Sequence, residues 1–155
     1  MTRAYQTFAD LESPLEERPL FYVESHGKPP VDPKLWPEDF RQKSFVAFIR
    51  KHAPAVVVSS FANEGKRTVR NGQRMKALGM TPGMPDICTI WDGGTAFLEF
   101  KGFSADGRPG RLSQQQIATL NRIHRNGWSA GCFFTASRAL DWLADLGAPV
   151  PRRRA

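Results

Sequence analysis

The apolar positions of the chain follow a helical period first and a strand-like run after it. Behind a proline that fits a first helical position, Phe45, Phe48 and Ile49 recur at helical spacing, so we expect a helix over about 37–52. The run 55–60 is short and rich in β-branched residues, which predicts a strand. The first regular elements are therefore a helix and a strand.

A hairpin signal follows, with Asp92-Gly93-Gly94 between two apolar runs over 87–91 and 96–101. The later elements are predicted as a helix behind Ser113 that ends at Gly127, a strand over 130–135 and a last helix opened by Ser137. The order helix, strand, hairpin, helix, strand, helix predicts an α/β fold in which helices flank a small mixed sheet.

The same pattern divides the chain into three parts. Residues 1–34 contain five prolines and no sustained period, and they predict an irregular arm that packs in part. A single domain is expected over 35–148, followed by a basic tail over 149–155. A chain of 155 residues that is 41% hydrophobic suits one domain with one core, which excludes a disordered or fibrous protein.

The net charge of the chain indicates the kind of partner that it binds. The chain has 22 Lys and Arg against 15 Asp and Glu, a net charge of +7, which indicates a polyanionic partner, most often nucleic acid. No apolar stretch approaches the roughly 18 residues of a membrane span, and the N-terminus has no secretory or transit pattern, so a cytoplasmic protein is expected. Cys88 and Cys132 lie in apolar runs and predict buried thiols.

The hairpin brings chemistry-bearing residues together. Glu99 and Lys101 alternate with apolar neighbours and so point to one face of their strand. If Gly93-Gly94 forms a two-residue turn, the antiparallel ladder sets Asp86 opposite Lys101 and diagonal to Glu99. A three-residue loop turns Asp86 to the other face unless a bulge compensates.

The carboxylates of Asp86 and Glu99 would then be neighbours on adjacent strands, and they would repel each other unless a cation lay between them. Their hard oxygen atoms suit Mg²⁺ or Mn²⁺ rather than zinc. Glu99 stands in an apolar run, where an unpaired carboxylate is costly, and this favours a metal site over a solvated strand edge. With Lys101 placed to orient or help deprotonate a water, these groups are the ones that phosphodiester hydrolysis requires.

The pattern of Asp86, Glu99 and Lys101 resembles the PD-(D/E)XK nucleases, and more narrowly the VRR-NUC (virus-type replication-repair nuclease) family. The resemblance covers roughly residues 38–135. Its further motifs are the run Asn63-Glu64-Gly65-Lys66-Arg67, the run from Gly79 to Asp86, Leu112-Ser113 followed by Gln116, and Glu38 with Gln42. Gln114-Gln115 departs from the family pattern, which has a proline and an acidic residue after the serine.

The resemblance implies a restriction-endonuclease-like core and a role for each matched residue. The implied metal or active-site acids are Glu38, Asp86 and Glu99, with the backbone carbonyl of Phe100 as a further metal ligand, Lys101 as a catalytic residue and Gln116 as a supporting one. Two of these residues have structural alternatives. Ser113 and Gln116 have capping-box spacing, and Glu38 suits the first turn of a helix, where a carboxylate answers the helix dipole.

A basic stretch leads directly into Asp86. Its cationic residues are Lys66, Arg67, Arg70, Arg74 and Lys76, and we expect them to contact nucleic-acid phosphates rather than form only a solvated face. Trp128 and Trp142 are assigned to packing.

Taken with the resemblance, the sequence predicts a Mg²⁺-dependent DNA endonuclease, with Mn²⁺ as a substitute. The family's viral and prophage members imply action on branched or four-way junction DNA in replication, recombination or repair, and a homodimer is expected for symmetric cutting. Two alternatives stay open: a catalytically silent DNA-binding module on the same fold, and a sequence-specific endonuclease of the restriction type.

Overall fold

A mixed sheet of five strands organises the chain, and it confirms the predicted α/β class. The computed structural model describes residues 17–61 and 69–152. Its strands are β1 (Tyr22–Val23), β2 (Val57–Ser60), β3 (Ile87–Trp91), β4 (Gly94–Phe100) and β5 (Ser129–Phe133). Its helices are α1 (Glu38–His52), α2 (Val69–Ala77), α3 (Gln114–Arg125) and α4 (Ala136–Asp145), and Pro33–Leu35 forms a 3₁₀ turn.

The strands lie in the order β1-β5-β4-β3-β2. β5 runs parallel to both β1 and β4, whereas β3 is antiparallel to both β4 and β2. α3 makes the crossover between the parallel strands β4 and β5, as parallel neighbours require. The hairpin of β3 and β4 therefore lies inside the sheet, where helices reach it from both faces.

The two faces of the sheet carry different helices. On one face, α1 and α4 contribute Phe45, Ile49 and Leu143 to a buried apolar core that also contains Leu98 and Phe100 of β4. On the opposite face, α3 packs through Leu120 against Ala130 and Cys132 of β5. The residues of β4 that point to this second face include Glu99, so the candidate chemistry lies on the α3 side.

Local sequence signals explain where the helices begin. Glu38 and Asp39 occupy the first turn of α1, and basic residues occupy its last turn, which complements the helix dipole. At α3, the Ser113 hydroxyl accepts from the Gln116 N–H and the Gln116 side chain accepts from the Ser113 N–H, which confirms the capping box. The prediction that Ser137 opens α4 was wrong, because the Thr135 hydroxyl caps it by accepting from the Arg138 N–H.

The hairpin register differs from the predicted one by one residue on each strand. Trp91 pairs with Gly94, so Asp92-Gly93 is the turn and not Gly93-Gly94. Gly93 alone takes a positive φ, 90°, in this turn, and a Cβ on Gly94 would overlap the Trp91 ring that packs across it. Because both strands shift by one residue, the pairing moves by two residues in total, and Asp86 still points to the same face of the sheet as Glu99.

Two elements carried no usable local signal. β1 lies within the segment predicted to be irregular and adds to the edge of the sheet beside β5, while Phe21 next to it is buried. α2 lies in the basic stretch before Asp86, where the apolar pattern predicts no helix. Within the described ranges, no helix has both the length and the apolar character needed to cross a membrane.

Candidate metal centre

The open end of the hairpin brings Asp86 and Glu99 together. The ladder of β3 and β4 ends at the pair Ile87 and Leu98, so the next residue on each strand is one of the two carboxylates. Asp86 Oδ2 accepts a hydrogen bond of 2.8 Å from the Phe100 N–H, in place of a backbone partner. Asp86 is therefore opposite Glu99, and not opposite Lys101 as the predicted register required.

Glu38 joins this pair from α1. One carboxylate oxygen from each of Glu38, Asp86 and Glu99 lies within 4.8 Å of the other two. The first residue of α1 therefore lies beside Asp86 and Glu99, as a role of Glu38 at a metal requires. We call these three residues the acidic cluster.

Lys101 is the cation of the site. Its Nζ lies 2.7 Å from Glu99 Oε1 and 3.8 Å from Glu38 Oε2, and its side chain is 10% exposed. Burial by itself lowers the pKa of Lys101, but Glu99, Glu38 and Asp86 outweigh burial and raise that pKa above its ordinary value. Lys101 is therefore a protonated donor at neutral pH.

Gln116 forms the predicted helix cap and also contacts the acidic cluster. Its backbone N–H and side-chain Oε1 form the capping box with Ser113, at 3.1 and 3.0 Å. Its Nε2 donates to Glu99 Oε1 at 2.5 Å. One glutamine thus starts α3 and fixes the same Glu99 oxygen that Lys101 contacts.

Among the described residues, Lys101 is the cation that forms ion pairs with the acidic cluster. Burial raises the pKa of Glu99 to about 7, and the Asp86 carboxylate adds to that shift. Burial also raises the pKa of Asp86, against the Phe100 N–H and Lys101, and it raises the pKa of Glu38 against Lys101. Three carboxyls with raised pKa values around one lysine form a site that favours an additional cation.

The residues present fit a hard divalent cation. Glu99 is 1% exposed, and its Oε2 is a buried oxygen without a hydrogen-bond donor among the described residues. Buried carboxylate oxygens are normally paired or coordinate a metal. The donor set is all carboxylate oxygen, which suits Mg²⁺ or Mn²⁺.

Two glycines allow the backbone segments around the site to approach each other. A Cβ on Gly83, whose φ is 77°, would overlap the backbone of Gln115 at the start of α3. A Cβ on Gly102 would overlap the Trp36 carbonyl just before α1, to which the Phe103 N–H donates at 2.8 Å. The first glycine brings the Asp86 loop to α3, and the second brings the end of β4 to α1.

Arg41 positions the start of α1, a role that was not predicted from the sequence. It is 5% exposed, and its guanidinium donates to the Phe134 carbonyl at 2.5 Å and to the carbonyls of Leu35, Trp36 and Pro37. These bonds tie the start of α1, and so Glu38, to the end of β5. A signal was present: Arg41 precedes Phe45 and Ile49 at helical spacing, on the buried face of α1.

The structure describes only part of the predicted phosphate-binding stretch. Lys66 and Arg67 lie outside the described residues, and so does the side chain of Arg70. Arg74 and Lys76 are exposed on α2. Lys76 lines a cleft of about 510 Å³ together with Gln116. Of the two basic residues of this stretch whose side chains the structure describes, Lys76 lies at the edge of the site.

The fold and the site define a small α/β protein with three carboxylates and a lysine at the open end of a central hairpin. Comparisons with models of protein families, with curated proteins and with solved structures gave no match. The functional conclusion is therefore built on geometry and chemistry.

Proposed function

We propose that this protein is a Mg²⁺-dependent nuclease of the PD-(D/E)XK type that hydrolyses phosphodiester bonds in DNA. One observation carries the proposal: among the described residues the buried Glu99 Oε2 has no hydrogen-bond donor, and it belongs to a cluster of three carboxylates beside Lys101. Several carboxyls with raised pKa values at one site are typical of functional sites, where burial and like charges are brought together.

Asp86, Glu99 and Glu38 are the side chains that would hold the cation, with the Phe100 carbonyl as a further ligand. The N–H and C=O of a strand residue point to the same neighbouring strand, and the Phe100 N–H points to Asp86, so the carbonyl is expected on that side. A divalent cation supplies positive charge for the developing negative charge on phosphate and makes a nearby water more acidic.

The protein's own residues supply orientation and charge. Protonated Lys101 donates hydrogen bonds, so it holds the attacking water or a phosphate oxygen and stabilises negative charge there. In hydrolysis the attacking water gives up a proton as its oxygen bonds to phosphorus, one P–O ester bond breaks, and the departing oxygen takes up a proton. Gln116 and the Phe100 N–H each fix one carboxylate oxygen, which leaves less reorganisation for the reaction.

The test compares cleavage of four-way junction, flap, linear duplex and single-stranded DNA in Mg²⁺, Mn²⁺ or EDTA. Asp86→Asn keeps the shape of the side chain and an acceptor for Phe100, and it is expected to lower metal-dependent cleavage at least about 1,000-fold. Lys101→Met is expected to act in the same direction. Asp92→Asn is the matched control, because Asp92 is an exposed carboxylate in the hairpin turn.

Calorimetric titration with Mn²⁺ gives a readout that does not depend on activity. The wild-type protein and Asp92→Asn are expected to bind the ion, and Asp86→Asn and Glu99→Gln to lose that binding. Salt-sensitive DNA binding without metal binding or cleavage would leave the silent DNA-binding module as the better interpretation. Cutting at one duplex sequence would favour the restriction-type alternative. Branched DNA as the preferred substrate, a homodimer and a cytoplasmic location stay predictions.

A further inference from the structure

A second cleft opens on the same face of the sheet as the acidic cluster. Its volume is about 370 Å³, and it lies between α3 and the hairpin. The residues that matter for its chemistry are Met84, Phe97, Arg122, Ile123, Asn126 and Trp128. We call it the aromatic cleft.

The aromatic cleft lies beside the proposed active site. Phe97 and Glu99 alternate with buried Leu98 on β4, so both side chains point to the α3 side, about 7 Å apart along the strand. Met84 stands two residues before Asp86 on the other wall. A strand whose phosphate lies at the acidic cluster therefore has its adjoining nucleotide beside the cleft.

The walls of the aromatic cleft are apolar and aromatic. Trp128 is 51% exposed, although it was assigned to packing from the sequence. Phe97 is half-buried and lies nearly parallel to Phe61, with ring centroids 6.4 Å apart. An exposed tryptophan beside a second aromatic ring is the kind of surface on which nucleobases stack.

One wall adds cationic and hydrogen-bonding groups. The Asn126 side-chain amide donates to the Arg122 carbonyl at 2.9 Å, which fixes the end of α3. Arg122 is exposed, and in the described part of the chain no carboxylate lies within 4.0 Å of its guanidinium. Among its described lining residues the cleft has no acidic side chain. Its charge thus suits a phosphate-bearing ligand.

We propose that the aromatic cleft receives one unstacked nucleobase of the strand whose phosphodiester lies at the acidic cluster. This inference rests on the proposed function and names its substrate class: nucleic acid with an unpaired nucleotide next to the cut. In an intact duplex the faces of each base are covered by stacking, and extrusion costs a few kcal/mol. Single strands, flaps and junctions offer such a nucleotide with less of that cost.

Fluorescence of 2-aminopurine tests the cleft without any cleavage. Short single strands carrying 2-aminopurine at successive positions are mixed with protein in EDTA, and binding is followed by anisotropy. The wild-type protein is expected to quench the base analogue at one position. Trp128→Ala is expected to remove the quenching and to weaken binding about 5- to 150-fold, while Trp128→Phe retains most of both.

Two controls separate stacking from a change in the fold. Phe40→Ala removes an aromatic side chain that is 43% exposed on α1, outside the cleft, and is expected to leave affinity and quenching unchanged. An abasic site at the quenched position is expected to weaken wild-type binding as much as Trp128→Ala does. It is expected to add little further loss in Trp128→Ala, because both changes remove the same contact.

The outcomes distinguish the cleft from the nuclease. Equal affinity for abasic and intact strands, or equal binding by Trp128→Ala and wild type, overturns the cleft proposal, even if Asp86→Asn still abolishes cleavage. Base-dependent quenching in a protein that cuts no substrate with any metal supports the cleft and overturns the nuclease. A cleft that binds only apolar peptides, with no effect of the base, also overturns this proposal.

Discussion

Consecutive residues of β4 lie in opposite environments. Leu98 is fully buried and packs on the side of α1 and α4 with Phe45 and Ile49. Glu99 is 1% exposed and points to the α3 side, where it contacts Lys101 and Gln116 and keeps one oxygen without a donor among the described residues. Nearly equal burial therefore accompanies opposite chemistry on the two faces of one strand.

The two faces also differ in what they contribute to the free energy of unfolding. Each large apolar side chain on the α1 face contributes about 1.5–3 kcal/mol by leaving water. At the acidic cluster, where Glu99 points to the α3 side, burial raises the pKa of all three carboxyls, so their ionised forms reduce stability. The apolar side chains on the α1 face stabilise the fold. The acidic cluster reduces stability and therefore requires the stability that those side chains provide.

The largest expected effects come from changing each face separately. Leu98→Ala removes core packing and is expected to lower the free energy of unfolding by about 2–5 kcal/mol, with cleavage by the folded fraction largely kept. Glu99→Gln is expected to abolish metal-dependent cleavage and to leave stability at pH 7 unchanged or higher. Urea denaturation and cleavage assays on both variants measure this. Equal loss of stability in the two variants contradicts the division between the faces.

The raised pKa of Glu99 predicts how the free energy of unfolding depends on pH when the metal is removed. Glu99 has a pKa of about 7 when folded against 4.5 as the ordinary value, so the folded state binds more protons between these values. The free energy of unfolding in EDTA is therefore expected to fall by on the order of 3 kcal/mol as pH rises through this range. Urea denaturation across pH measures it, and Mg²⁺ is expected to restore stability at pH 8.

Glu99→Gln serves as the control for this pH dependence, because glutamine does not titrate. Its free energy of unfolding should fall less over the same range. An equally steep fall in the variant assigns the effect to other groups and counts against the raised pKa of Glu99.

A smaller effect is expected where the Asp86 loop meets α3. Gly83→Ala combines positive φ with overlap of the Gln115 backbone, and it is expected to cost about 2–4 kcal/mol and to reduce cleavage. Gly79→Ala is the matched control. Gly79 also has positive φ, but a Cβ there meets no described atom within 4 Å, so only about 1–2 kcal/mol is expected. Thermal unfolding separates the two, and equal shifts would show that the close approach has no energetic weight.

The smallest effect separates the two roles of Gln116. Ser113→Ala removes the helix cap alone and is expected to cost about 1 kcal/mol with cleavage nearly unchanged. Gln116→Ala also removes the hydrogen bond to Glu99, so cleavage or Mn²⁺ affinity is expected to fall about 10- to 100-fold. If both variants lose stability alike and neither loses activity, Gln116 is only a cap.

Elements with local signals could be predicted from the sequence. The spacing of Phe45 and Ile49 predicted α1, and the serine and glutamine of the capping box predicted the start of α3. Glycines and an aspartate predicted the hairpin, although the turn is one residue earlier than expected. The convergence of Asp86, Glu99 and Lys101 survived that error because strand side chains alternate with a period of two, and the shift moved both strands together.

Contacts between distant segments were decided only by the tertiary structure. The sequence pattern near each residue does not indicate that α1 begins beside Asp86 or that Trp128 is half exposed. It also does not indicate that the buried Arg41 guanidinium donates to four backbone carbonyls. β1 pairs with a strand more than a hundred residues later, and its own two residues carry too little pattern to indicate it. The sequence by itself determined which groups are available and which face of a strand each occupies. Packing decided which groups meet, because that depends on where whole helices lie against the sheet.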